Sequence, residues 1–277
     1  MLNSILSNQY FYYVILMIIT AFPVGFFAGL FGIGGGLITV PFLFFIFEAL
    51  GIDKTYLMHL AVGTSFAIII PTSIVSVYTH NKHKSVDQSI VKTYGLFVIM
   101  GVLLGTTFAA IMKTKSLVIF FSIVVFFLGT YLLINSNQQV ISKNKFKLHF
   151  RIIFGVLSGF ISAPMGIGGA VMNVPILKYF GYPIKKAIGS AATIGFIIAL
   201  CGAIGFWYSG KLLNVRLPLS IGFINIPAFL IFIPITMLMA RVGANSAHKI
   251  DKKKLQVFFG IFLYVVGTIF IMRYSSL

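Results

Sequence analysis

Eight apolar stretches, at about 11–48, 58–80, 90–112, 116–135, 149–181, 184–208, 216–240 and 253–273, take up nearly all of the 277-residue chain. Most are close to the roughly 20 residues with which an α-helix crosses a hydrocarbon core. At that depth backbone N–H and C=O groups must find partners within the protein, which a helix provides inside a single segment. Composition agrees: 59% of residues are hydrophobic, 9% are charged and the mean hydropathy is +1.04, against roughly 25% charged residues in a soluble domain. The chain reads as an all-α polytopic membrane protein with no soluble domain. Its first apolar segment, with no Lys or Arg before it, reads as a retained span.

Two of the stretches are too long for one crossing. As a straight helix at about 1.5 Å per residue, 11–48 would reach roughly 57 Å, nearly twice the core thickness. Both long stretches carry a run of glycines followed by Val-Pro: "GLFGIGGGLITVPFL" at 29–43 and "APMGIGGAVMNVPIL" at 163–177. Glycine costs about 1 kcal/mol inside a helix, and the residue before a proline is pushed toward extended backbone. The interruptions are therefore expected between Gly32 and Pro41 and between Gly166 and Pro175, making each long stretch a Gly-broken hairpin with a half-helix starting near its proline.

These two runs belong to a longer repeat. "GFFAGLF…GIGGGLITVPFL" from Gly25 aligns with "GVLSGFI…GIGGAVMNVPIL" from Gly155, the second copy holding four extra residues, "SAPM". Further on, "AVGTS" at 61–65 aligns with "AIGSA" at 187–191. The chain divides into repeats at 1–140 and 141–277, each a broken hairpin plus three crossings, so that the second starts from the opposite face and the repeats are inverted. Charge supports this layout. With returning hairpins, fifteen of the 21 basic residues fall on the face of loops 82–92, 143–151, 178–186 and 241–254 and six on the other; with straight crossings the split is ten to eleven. The uneven split is the positive-inside pattern, placing those loops in the cytoplasm and both termini outside.

The glycine runs carry the expected site. Irregular backbone in the bilayer is tolerated where protein or a cavity covers it, and two inverted breaks can meet near the midplane. Gly34, Gly35, Gly168 and Gly169 would let backbone N–H groups converge on a small anion, at half-helix N-termini that favour negative charge. Gly32, Gly36, Gly166, Pro41 and Pro175 shape the motif. Thr39 and Asn173 stand two residues before the prolines, as helix caps or ligand contacts. Thr64, Ser65, Ser190 and Thr193 in the following helices supply hydroxyl donors, or bond back to their own helix carbonyls. Glycines spaced by four (Gly25/Gly29, Gly101/Gly105, Gly155/Gly159) read as close helix contacts.

Other chemistries are poorly served. The basic residues lie in short loops with no folded face for nucleic acid. Gly32-Ile33-Gly34 lacks a preceding strand and a P-loop lysine, which excludes a nucleotide fingerprint. The acids Glu48, Asp53, Asp87 and Asp251 and the five histidines lie at segment ends, which leaves no clustered catalytic or metal-ligating groups and no midspan proton relay. Cys201 is the single cysteine. It reads as a small apolar filler, the alternative being a sulfur-relay or redox role.

With the paired glycine runs, the following "AVGTS" and the duplicated eight-segment layout, essentially the whole chain resembles the TauE/SafE (sulfite exporter) family. The resemblance implies transport of small sulfur-containing anions, sulfite or organosulfonates and related C2 compounds, across the cytoplasmic (inner) membrane. The chain departs from internal symmetry at Ala170 against Gly36, Ala191 against Ser65 and Gly210 against Lys84. The expected protein is thus a secondary transporter, not an enzyme, needing no cofactor or metal. Its partners are a small anionic substrate and the lipid bilayer, with self-association as a homo-oligomer compatible. Export fits the lack of midspan carboxylates, since an inside-negative potential expels an anion unaided; import coupled to a cation is the alternative direction.

Overall fold

The computed structural model describes residues 2–31, 35–134, 146–247 and 252–274. In chain order these form α1 (Leu2–Phe31), α2 (Gly36–Ala49), α3 (Leu57–Lys82), α4 (Gln88–Ile111), α5 (Thr114–Ile134), α6 (Leu148–Met165), α7 (Ala170–Tyr179), α8 (Ile184–Leu212), a small antiparallel hairpin of β1 (Ser220–Ile221) and β2 (Ile224–Asn225), α9 (Ile226–Ala247) and α10 (Lys252–Tyr274). Eight of these helices are long and apolar enough to cross a membrane. The remaining two, α2 and α7, have 14 and 10 residues and are too short. The protein is an all-α polytopic membrane protein.

Both long apolar stretches break, and both double back. The Tyr13 hydroxyl, near the start of the crossing part of α1 (Phe11–Leu30), donates to the carbonyl of Ala49 at the end of α2, so the chain returns to the face it entered from. In the second case Phe146, just before α6, stacks on Phe180, just after α7, with ring centroids 4.3 Å apart. Each half-helix ends in the same way. Gly51 and Gly181 adopt left-handed backbone, and the paired bonds Ile52 N–H to Phe47 O with Gly51 N–H to Glu48 O, and Tyr182 N–H to Leu177 O with Gly181 N–H to Lys178 O, satisfy the last carbonyls.

The half-helices start earlier than their prolines suggested. Gly35 and Gly169, in left-handed conformation at φ 80° and 66°, are the N-caps, and helix begins at Gly36 and Ala170. Pro41 and Pro175 lie five residues further in. A proline already has helical φ and removes one hydrogen bond there, whereas the left-handed turn needs a residue without Cβ. The glycine rather than the proline sets the boundary.

Helix pairing follows one pattern under exchange of α1–α5 with α6–α10. The most extensive contacts are α4 with α6 and α1 with α9, then α5 with α10 and α3 with α8. The first two pairs run parallel through glycine faces: Gly25 lies against Thr236 and Gly29 against Ala240, as Gly101 lies against Val156 and Gly105 against Phe160. The second two run antiparallel, with Gly63 on Phe206 and Phe66 on Gly202, and with Gly129 on Gly260 and Phe121 on Phe270. Equivalent helices thus oppose each other in direction. Two-thirds of the crossing window of α3 (67%) and 61% of that of α8 is buried, against 22–44% in the other spans, so these two form the centre and the rest present apolar side chains outward.

Candidate functional site

The two breaks meet at the centre of the molecule. A Cβ on Gly36, the first residue of α2, would lie 2.3 Å from the carbonyl oxygen of Gly166 and 2.8 Å from the Cα of Ile167. Only glycine admits that approach, which gives the Gly36/Ala170 difference its reason. Gly168 lies against Gly195 of α8 and Ile69 of α3, both at mid-helix. Ser65 of α3 donates to Gly166 O at 2.9 Å. It thereby satisfies a carbonyl that the break exposes, a task for which the equivalent Ala191 has no hydroxyl. Residues 35–41 and 162–170 are all buried. Gly32 and Gly34 lie outside the described residues.

Neither half-helix has a side-chain cap from its N-cap residue, which is glycine in both, and among the described residues no side-chain oxygen accepts from the first turn of α2 or α7. The first N–H groups of any α-helix lack intrahelical partners, and their dipoles give the terminus partial positive charge. Each terminus is on its own donor-rich and electropositive.

The polar side chains divide into three groups. Thr39 and Thr193 bond back to the carbonyls of Gly35 and Gly189 in their own helices, at 3.0 and 3.1 Å. Thr64 and Ser190 hold the halves together. Thr64 Oγ1 accepts from the N–H of Asn225, and Ser190 Oγ from the N–H of Asp87, both at 2.9 Å. Asn225 and Asp87 in turn cap the next helices, accepting from Ala228 N–H at the start of α9 and from Ser89 and Ile90 N–H at the start of α4. Asn173 forms the third group with residues that sequence reasoning missed. Its Oδ1 accepts from the Tyr94 hydroxyl and from Ser158 Oγ, each at 2.7 Å.

Asn173, Ser158 and Ser162 are fully buried, as is Tyr94. Ser162 belongs to the four-residue insertion, a signal the alignment did contain; Ser158 sits inside a glycine-spaced stripe that reads as packing. Tyr94 comes from α4 and has no sequence signal. His59, peripheral by position, is buried: its ring stacks on Phe223 and its Nε2 lies 3.1 Å from Ala109 O. Cys201 is half-buried among core side chains of α8. Among the described residues, no group of three or more His, Cys, Asp or Glu stands close enough to hold a metal.

A family model described as "Sulfite exporter TauE/SafE" matches residues 17–270. The chain belongs to the TauE/SafE family. A probable membrane transporter protein of Haemophilus influenzae is 30% identical to it over 257 residues, covering 93% of this chain and 97% of the relative. A probable membrane transporter protein of Methanocaldococcus jannaschii is 30% identical over 256 residues, covering 91% and 93%. YunE of Bacillus subtilis, also a probable membrane transporter protein, is 21% identical over 272 residues, covering 91% and 95%. No solved structure matches the chain. This TauE/SafE member is accordingly a multi-pass membrane protein of a transporter family.

Proposed function

We propose that this TauE/SafE protein is a secondary transporter of small sulfur-containing anions, sulfite or a C2 organosulfonate, and that it exports them across the cytoplasmic membrane. The observation that supports this reading is the approach of the two breaks in the buried centre, where Gly36 at the N-terminus of α2 lies against Gly166 and Ile167, with glycines Gly35 and Gly169 as the N-caps of both half-helices. Backbone N–H groups take the place of the anion's hydration without a buried cation, which would cost far more to desolvate. The repeats 1–140 and 141–277 are inverted halves that rock about this centre to expose it alternately to each face. The face with loops 82–92, 143–151, 178–186 and 241–254 is cytoplasmic and gathers the anion by its positive charge.

Direction follows from the same charge inventory. A membrane potential acts on each substrate charge with about 2.3 kcal/mol per 100 mV, which moves an anion outward without a coupling ion. The protein acts without a cofactor and without covalent chemistry at Cys201. Its partners are the anion and the bilayer, with self-association compatible and nucleic acid excluded. Flux of labelled sulfite and of a C2 sulfonate in proteoliposomes, in both directions and with or without an imposed potential, tests the reading. Potential-driven movement of either anion toward the positive side is expected. Movement only with a proton or Na⁺ gradient would replace export by coupled import, and no flux of either would remove the substrate class.

A further inference from the structure

Among the described residues, three buried side-chain polar atoms have no hydrogen-bond partner: His59 Nδ1, Ser162 Oγ and Asn173 Nδ2. Two of the three converge. The point at which a Cβ on Gly169 would lie is 3.1 Å from Asn173 Nδ2 and 3.2 Å from Ser162 Oγ, directly beside the N-terminus of α7. A buried donor left without a partner is costly, and two such groups around one point call for a reason.

We infer that Asn173 Nδ2 and Ser162 Oγ are side-chain ligands of the transported oxyanion, and that the anion is held asymmetrically, at the second break rather than equally by both. This rests on the transport reading above and gives it a place and a set of contacts. The Asn173 Oδ1 accepts from two hydroxyls, Tyr94 and Ser158, which leaves the unpartnered NH₂ beside the break, where it donates. Ser162 adds an O–H, and the first N–H groups of α7 add backbone donors. A set made of donors matches a species whose oxygens only accept, the description of a sulfite or sulfonate head. Tyr94 and Ser158 are positioning residues, which act by orienting the amide.

The first break lacks this equipment. At Gly35 the corresponding space meets the Cβ of Ala28 and, at 3.6 Å, the Oγ1 of Thr39, whose hydroxyl is already bonded to Gly35 O. Ala28 aligns with Ser158, Thr39 with Asn173, and Ser162 lies in the insertion that the first half lacks. In the second half the flexible end of Ile198 comes within 2.3 Å of the Cβ position on Gly169. It fills the space between the donors and is the group an entering anion displaces.

The test is calorimetric binding of sodium sulfite, and in parallel of a C2 sulfonate, to the full-length protein in lipid nanodiscs, with thermal unfolding of each variant. Asn173→Asp keeps the shape and the bonds from Tyr94 and Ser158 but turns a donor into a carboxylate oxygen. Ser162→Ala removes an unpartnered hydroxyl, so it folds at least as well as the parent in the absence of anion. Both are expected to weaken binding by about tenfold or more. Both should also abolish most of the anion-induced rise in unfolding temperature. Thr39→Val, the comparison in the first half, is expected to change affinity less than about threefold. Should Asn173→Asp fail to fold, Ser162→Ala decides alone. Parent-like affinity in the variants overturns the inference while sparing the transport reading, and a loss in Thr39→Val as large as in Ser162→Ala overturns the asymmetry. A parent protein that binds neither anion removes the transported substrate itself, a different failure from either.

Discussion

At the scale of single residues, glycine stands in three distinct settings in this chain, and substitution separates them. Gly35 and Gly169 are left-handed, and a Cβ there would meet Ala28 Cβ at 2.8 Å and Ile198 Cδ1 at 2.3 Å. Gly35→Ala and Gly169→Ala should each destabilise the protein by about 1–3 kcal/mol, and Gly169→Ala should weaken anion binding the more of the two, read by unfolding and equilibrium binding on the same preparations. Gly101 packs on backbone, its Cβ position lying 2.2 Å from Val156 O. Gly101→Ala should therefore prise α4 from α6 and lower the unfolding temperature. Gly95, also in α4, meets only Ile197 Cδ1 at 3.8 Å; Gly95→Ala should be neutral or stabilising by up to about 1 kcal/mol. The motif glycines were legible because a left-handed or closely approached backbone position leaves little other choice of residue. The roles of the hydroxyls were not. Whether a threonine bonds back to its own helix, as Thr39 and Thr193 do, or across to another, as Thr64 does, is decided by which helix arrives beside it.

At the scale of elements, the two cap-and-hydroxyl pairs tie the halves together. Thr64 with Asn225 and Ser190 with Asp87 place a side-chain hydroxyl of one half on the N-terminal residue of a helix in the other. Losing such a hydroxyl leaves an N–H without its partner, buried at Asn225 and partly buried at Asp87. Thr64→Val and Ser190→Ala should each cost about 1–2 kcal/mol, and the double variant should lose close to the sum, since the two pairs lie at opposite faces of the molecule. Denaturant titration of the three proteins measures this. Asp87→Asn keeps an N-cap acceptor and should be milder than Asp87→Ala, which is expected to cost about 1 kcal/mol. The crossing helices and both breaks could be read from apolar length and glycine spacing. The early start of the half-helices at Gly36 and Ala170 could not, because Val-Pro marks where continuing a helix costs a bond, while the left-handed glycine marks where it begins.

At the scale of the whole molecule, the returning hairpins put Lys54 and Lys186 on opposite faces, beside the Thr55–Thr114 and Asp87–Ser190 contacts respectively. Single cysteines at positions 54 and 186, in a Cys201→Ala background, should be labelled by an impermeant reagent from opposite sides, position 186 from the cytoplasm. Cys201→Ala itself should keep near-parental flux. Labelling of both positions from one side would contradict the hairpins. The equivalent pairs α4–α6 and α1–α9 are alike in space but not along the chain. Helix α6 follows α4 closely, whereas α1 waits for α9 about 195 residues later, ~10–40 s at ordinary rates of synthesis. Through that interval the Gly25/Gly29 face has only lipid or borrowed helices against it. Of two contacts that look the same in the finished molecule, the N-terminal one is thus the late step of biogenesis, and truncations that remove α9 should send α1 to quality control while leaving α4–α6 assembled.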